Sequence, residues 1–290
     1  MSRRGVLLFS AMCVIWSIPY LFIRIAVREL DPATIILIRT LLATVVLLPF
    51  AAFRGHTTVM LKNLRWIAAF GAIEIGLPWW LMTRAEQHVS SSFTAILIAF
   101  VPLVSVVLYR FTSKHEPVTL KRGLGLGIGI IGVGALVGLD LGHLTLLPVL
   151  ELLAVTVCYS LGPLIMSTKL TDVPDVAVPA AAFAMVTLVY LYPGLSHLPN
   201  HVSGQVIGAL LVLGLICSAL AFLFFFPLVR EIGPARATLV TYVNPALALL
   251  LGVVFLSEPM TIGLAVGFPL ILLGSILASS RREIAPVEPA

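Results

Sequence analysis

One acid in the middle of an apolar run is the first residue whose type and place could do chemistry. Glu74 lies about ten residues from either end of the run 64–83, hence roughly 15 Å from both surfaces of a bilayer that the run would cross. A carboxylate at that depth is costly unless it is paired, protonated or facing water. Two readings stand. One is a buried ion pair with Arg39, which lies about 10 Å inside the run 33–53; the other is an acid facing a cavity, holding a substrate ammonium or a proton.

A second polar group sits near the other end of the chain. Thr238, Thr241, Tyr242 and Pro245 fall in a narrow arc of a helical wheel, with Asn244 beside Thr241. Pro245 frees a backbone carbonyl that can accept a ligand N–H, while Asn and Thr side chains serve equally as glue between helices. Trp16 and Ser17 recur as Tyr159 and Ser160, in both cases 143 residues later, so they form either symmetric packing or two walls of one cavity. Ser17 can bond a carbonyl of its own helix, whereas the Trp16 indole N–H needs another partner. Trp79 and Trp80 could clamp a ligand. At 100° per residue neither shares the face of Glu74, and their closeness to Arg84 suits an interfacial belt as well.

Other chemistries are excluded or weak. His88, His143, His197 and His201 lie in or beside connections without metal-ligand spacing, so no metal or cofactor is expected, and His88 is kept only as a proton-sensing alternative. Gly127–Gly132 reads G-x-G-x-x-G with Glu151 some twenty residues on, but it lies inside an apolar run with no preceding strand. With Gly123, Gly125, Gly134 and Gly138 those glycines suit close helix packing instead. There is no G-x-x-x-x-G-K-[ST] for ATP. Asp31, Asp140, Asp172 and Asp175 fall in connections, which leaves no paired carboxylates for an intramembrane enzyme such as a lipid-modifying transferase. Cys13, Cys158 and Cys217 lie within apolar runs and read as small core residues.

The elements that must position these groups are membrane helices. With 60% hydrophobic and 11% charged residues and a mean hydropathy of +1.10, the chain is predicted to be an all-α integral membrane protein in a lipid bilayer. The net charge of +5 lies in short connections rather than on a basic face, so no nucleic acid partner is implied. A ruler of about 20 residues per span gives ten transmembrane helices: 5–24, 33–53, 64–83, 93–109, 123–139, 144–166, 176–195, 205–226, 235–256 and 261–279. The first run holds Trp16 and Pro19 and lacks a small-residue cleavage site, so it reads as a helix rather than a signal peptide. Lys and Arg gather on one side when both termini face the cytoplasm.

The outline repeats. Pro102 and Pro245 are 143 residues apart, and Glu116-Pro117 recurs as Glu258-Pro259. Five helices per copy is an odd number, so the second repeat is inverted relative to the first, a plan of many secondary transporters. The repeats are bounded at 1–142 and 143–282, with a cytoplasmic tail at 283–290.

Trp16-Ser17, Phe22, Arg24, Asp31-Pro32 and Arg39 in the first repeat, with Gly233-Pro234-Ala235, Asn244-Pro245 and Leu256-Ser257-Glu258-Pro259 in the second, resemble the EamA-type transporters of the drug/metabolite transporter superfamily. The resemblance implies a ten-helix exporter of small metabolites in a bacterial inner membrane, with a central cavity formed mainly by the first, third, fourth, sixth, eighth and ninth helices. Within the family the chain looks most like amino-acid exporters. A broader drug, metabolite or sugar-linked metabolite exporter is the alternative. The substrate group expected on this reading is Glu74, Trp16, Ser17, Tyr159, Ser160, Thr241, Tyr242, Asn244, Pro245 and Trp79, with Arg39, Glu74 and His88 for ion pairing or proton coupling. A monomer is compatible with this reading, which leaves the oligomeric state open.

Overall fold

Helix starts follow side-chain capping. Asp31 accepts from the Ala33 N–H with Pro32 at the first helical position, Ser90 accepts from the Phe93 N–H, and Ser203 from the Val206 N–H. Each cap satisfies a donor that has no partner within its own helix. The computed structural model describes residues 2–112, 120–139, 145–233, 237 and 239–279. Thr238, Glu116-Pro117, Pro234-Ala235, Asp140, His143, the boundary near 142 and the tail 283–290 therefore lie outside the described residues.

The described residues are helical, with no strand among them. Among the described residues, eight helices are long and apolar enough to cross a membrane: α1 (Arg3–Ala26), α2 (Pro32–Phe53), α3 (Leu64–Ala85), α4 (Ser91–Leu108), α5 (Leu120–Gly138), α6 (Leu146–Lys169), α7 (Ala177–Ser196) and α8 (Gly204–Ile232). Two shorter apolar helices follow, α9 (Val240–Leu256) and α10 (Ile262–Ser279). A short helix, Thr57–Lys62, precedes α3.

Several helices depart from regular α geometry where the site will be built. α3 passes through a π-helical segment at Gly71–Gly76 and α8 through another at Val212–Leu220. The glycines inside them allow close approach: a Cβ on Gly71 would meet Ala182 of α7 at 3.3 Å, and one on Gly214 would meet Leu42 of α2 at 2.6 Å. α4 breaks at Ala99–Phe100, just before Pro102. The Ala99 carbonyl released there accepts from the Ser275 hydroxyl of α10, 2.9 Å away.

Long-range bonds bring particular helix ends to one face of the bundle. The Glu258 carboxylate, just past α9, accepts from the backbone N–H and hydroxyl of both Ser91 and Ser92 at the start of α4. Ser257 makes this possible by turning left-handed at φ 53°, with the Glu258 N–H donating back to the Gly252 carbonyl. Gly252 leaves room for the carboxylate, since a Cβ there would lie 2.4 Å from Glu258 Oε2. At the same face Arg24 near the end of α1 donates to the Glu86 carbonyl after α3, and Arg84 of α3 pairs with Glu151 of α6 at 3.1 Å. We call this the Glu258 face.

The glycine-rich helix is used for packing, and on one side only. Gly125, Gly129 and Gly132 of α5 lie against Gly267, Ile271, Gly274 and Ala278 of α10 or against Leu103, where a Cβ would meet heavy atoms at 2.3–2.7 Å. Gly123, Gly127, Gly134 and Gly138 have open space. Gly274→Val, which would drive a Cβ to 2.5 Å from the Gly129 nitrogen, is expected to cost more than about 2 kcal/mol, whereas Gly134→Val is expected to change stability by less than about 1 kcal/mol. Thermal unfolding of the two variants in detergent checks the contrast.

Candidate functional site

The π-helical segment of α3 puts Glu74 against α6. Gly162 of α6 is the residue it rests on: a Cβ there would lie 1.8 Å from Glu74 Oε2, so only glycine leaves space for the carboxylate. Oε2 is buried and has no hydrogen-bond partner. Arg39 of α2, 4% exposed, is held elsewhere, with its Nε donating to the Ser218 hydroxyl of α8 at 3.0 Å and its guanidinium stacked 3.5 Å above the Trp79 ring. Of the two readings of Glu74, the ion pair with Arg39 is therefore not the one this structure shows. The physical reason is that the flat guanidinium is already matched by an indole face and a hydroxyl.

For Trp79 the sequence leaves two readings, a ligand clamp and an interfacial belt. Only 7% exposed, it faces inward rather than forming an interfacial belt, because the π-helical segment turns the chain fewer degrees per residue than a regular helix does. Trp80 is the one that meets Arg84, 5.2 Å from its ring. Tyr159 of α6 lies within electrostatic reach of both the acid and the base. Its hydroxyl feels the charges of both Glu74 and Arg39 and lies beside Tyr20 of α1 and the Trp79 indole.

From Arg39 a path of aromatic rings runs across the bundle. Trp79 meets Phe183 of α7 at 5.7 Å, Phe183 meets Phe222 of α8 at 5.6 Å, and Phe222, Phe226 and Phe225 continue to Trp16 of α1, 4.8 Å from Phe225. Trp16 thus belongs to an aromatic contact between α1 and α8. These spacings suit tilted and edge-on ring pairs. The phenylalanines were missed in the sequence, where the run Phe222–Phe226 looks like ordinary membrane filler.

The remaining expected residues are used as structure. Ser17 donates to the Val14 carbonyl of its own helix. Ser160 donates to Thr156 of its own helix and to the Val101 carbonyl beside the α4 break, and accepts from Ser105. Asn244, once its amide is oriented to suit its neighbours, donates to the Val240 and Cys13 carbonyls at 3.0 Å each and so ties α9 to α1. The Tyr242 hydroxyl donates to the Ser275 carbonyl of α10. Pro245 is buried and Thr241 exposed. Asn244 and Tyr242 are thus directed to α1 and α10 rather than to Glu74. His88 is exposed on the turn after α3 and stands outside the Glu74–Arg39 group as well.

Two cavities open elsewhere. One of about 540 Å³ lies between α1, α8 and α9, lined by Phe22, Arg28, Gln205 and Phe255 among others; a second of about 190 Å³ lies between α2, the short helix, α3 and α7. Glu74, Arg39 and Trp79 line neither of these two.

Residues 3–138 and again 146–280 match the EamA-like transporter family. An uncharacterized inner membrane transporter of Escherichia coli strain K12, YedA, is 29% identical over 96% of this chain and 93% of its own. An uncharacterized transporter of Bacillus subtilis strain 168, YvbV, is 22% identical over 97% and 93%. A crystal structure matches with a TM-score of 0.67 at 18% identity, covering 95% of this chain and 96% of that one, a likeness of fold alone.

If Asn244 and Tyr242 hold helices together, Asn244→Ala is expected to lose about 1–2 kcal/mol and Tyr242→Phe about 1 kcal/mol of stability, both with ligand affinity unchanged. Thermal unfolding alongside ligand titration of the purified variants checks this.

Proposed function

The chain belongs to the EamA-like transporter family and is a membrane transporter rather than an enzyme, and from that premise we propose that it exports small zwitterionic metabolites, amino acids first among them. The observation that carries the substrate class is the unpaired acid and base. Among the described residues, Glu74 has an oxygen without a partner and Arg39 is bound to no acid, and the charges of both reach Tyr159. An amino acid supplies the two missing partners at once: its ammonium for Glu74 and its carboxylate for Arg39. An anionic phosphate would meet Glu74 as a repelling neighbour. The aromatic path from Trp79 to Trp16 offers a tolerant wall for an apolar or aromatic side chain, and it favours as second reading a broader export of amphipathic metabolites.

Transport proceeds by alternating access between two five-helix halves, 1–142 and 143–282, of opposite orientation. Three features support this arrangement. At the Glu258 face α1, α3 and α9 end while α4 and α6 begin, so α1 and α6, and likewise α4 and α9, run in opposite senses. The π-helical segments fall in the third helix of each half. The helix partners also exchange in step: α1 packs on α9 as α6 does on α4, and α2 on α8 as α7 does on α3. With Arg3, Arg4, Arg54, Lys62 and Arg65 on the opposite face, both termini are cytoplasmic and the Glu258 face is outward. The Escherichia coli relative's name fits a bacterial inner membrane location. Glu74 is also the group at which a proton could replace the substrate ammonium.

The test is flux of labelled amino acids in proteoliposomes of the pure protein. Uptake of at least one neutral or aromatic amino acid is expected. Both Glu74→Gln and Gly162→Ala, whose Cβ takes the place of the Glu74 carboxylate, are expected to lower its affinity at least about tenfold, the equivalent of one charge-assisted hydrogen bond. No flux with any amino acid tested would sink the substrate class.

A further inference from the structure

Glu86 is a second buried acid that the transport site does not use. It is the residue after α3, one position beyond the span Leu64–Ala85, and it is 0% exposed although the next two residues, Gln87 and His88, are exposed. Neither of its carboxylate oxygens has a hydrogen-bond partner. The nearest cation does not repair this, because Arg24 of α1 donates to the Glu86 backbone carbonyl instead.

The groups that face Glu86 come from three directions. From α1 come Arg24 and Tyr20, from α2 Arg39, and from the turn between α9 and α10 a second acid, Glu258. The two acids are treated oppositely. Glu258 is bonded by four donors from Ser91 and Ser92, and Glu86 by none. An ionised, unbonded carboxylate shut away from water beside another anion is strongly disfavoured, and the neutral acid is not.

We propose that Glu86 is a proton-binding site of the outward face, protonated while Glu258 latches the two halves through Ser91 and Ser92, and deprotonated when that latch parts and water reaches the carboxyl. Burial is the main force that lifts the Glu86 carboxyl well above the ordinary carboxylate range; Glu258 adds to it, and Arg24 and Arg39 oppose it. The closed face therefore binds one more proton than the open one between the ordinary carboxylate value and the raised value of Glu86. Closure is fully favoured below that window and is lost as pH rises through it. The proton leaves to the outer water and returns from it, so no charge crosses the membrane. Glu86 thus sets how readily the outward mouth opens at a given outside pH and does not drive transport.

This inference rests on the alternating-access reading and its outward Glu258 face, and its test uses no substrate, so it fails separately from the substrate class. Spin labels are placed on Gln87→Cys and Met260→Cys, one on each side of the latch, after replacing Cys13, Cys158 and Cys217. Between about pH 5 and about pH 8 the wild-type label distance is expected to lengthen with rising pH, to stay short in Glu86→Gln, and to lengthen again in Glu86→Asp. Infrared difference spectra of the wild type are expected to show loss of a protonated carboxyl band over the same range, a band missing in Glu86→Gln. A wild-type distance that ignores pH, a Glu86→Gln response equal to wild type, or no carboxyl band in the wild type would each overturn the proposal.

Discussion

Inside an apolar bundle every polar group must find its partner within the protein, because lipid supplies none. The polar side chains here meet that demand chiefly by pairing with backbone carbonyls. Breaks and π-helical segments release carbonyls, and hydroxyls take them: from neighbouring helices Ser275 bonds Ala99, Ser160 bonds Val101 and Tyr190 bonds Gly76, and within α8 Ser218 bonds Leu213. Asn244 treats Cys13 in the same way. Against this background the groups left over stand out. Glu74 and Glu86 hold carboxylate oxygens without partners, and Arg39 is held by a ring and a hydroxyl rather than by an acid.

That leftover chemistry is unevenly divided between the two matching stretches. Position 74 holds an acid where position 217 holds Cys217, and Arg39 corresponds at the same offset to Ala182. Ala182 packs on Gly71, while the Arg39 carbonyl faces Gly214, so the same helix contact is made twice with a charged side chain on one occasion only. The contact is what the fold needs. The charge is what one half adds, and the other half supplies Tyr159, Gly162 and Ser218 to receive it.

Much of the fold was legible in the chain because apolar length, proline and glycine act locally. The apolar spans, the break before Pro102, the glycine face of α5 and the importance of Glu258-Pro259 could all be read from residue type and spacing. The site was legible only in part. Glu74 stood out by depth alone, and the inward position of Trp79 could not be read from the chain, since a wheel at 100° per residue does not hold across Gly71–Gly76. Glu86 and the Arg84–Glu151 pair were missed because acids near helix ends look solvated until the neighbouring helix is in place. The α9 wheel placed Thr241, Tyr242 and Asn244 correctly on one helix but could not tell which neighbours they would meet.

The central claim is that Glu74 and Arg39 hold opposite ends of one ligand. The most direct measurement is binding of three compounds, a transported amino acid, its decarboxylated amine and its deaminated acid, to the wild type, Glu74→Gln and Arg39→Gln. The account predicts that Glu74→Gln weakens the amino acid and the amine but spares the acid, and that Arg39→Gln weakens the amino acid and the acid but spares the amine. Equal losses for all three compounds in both variants, or none in either, would contradict it.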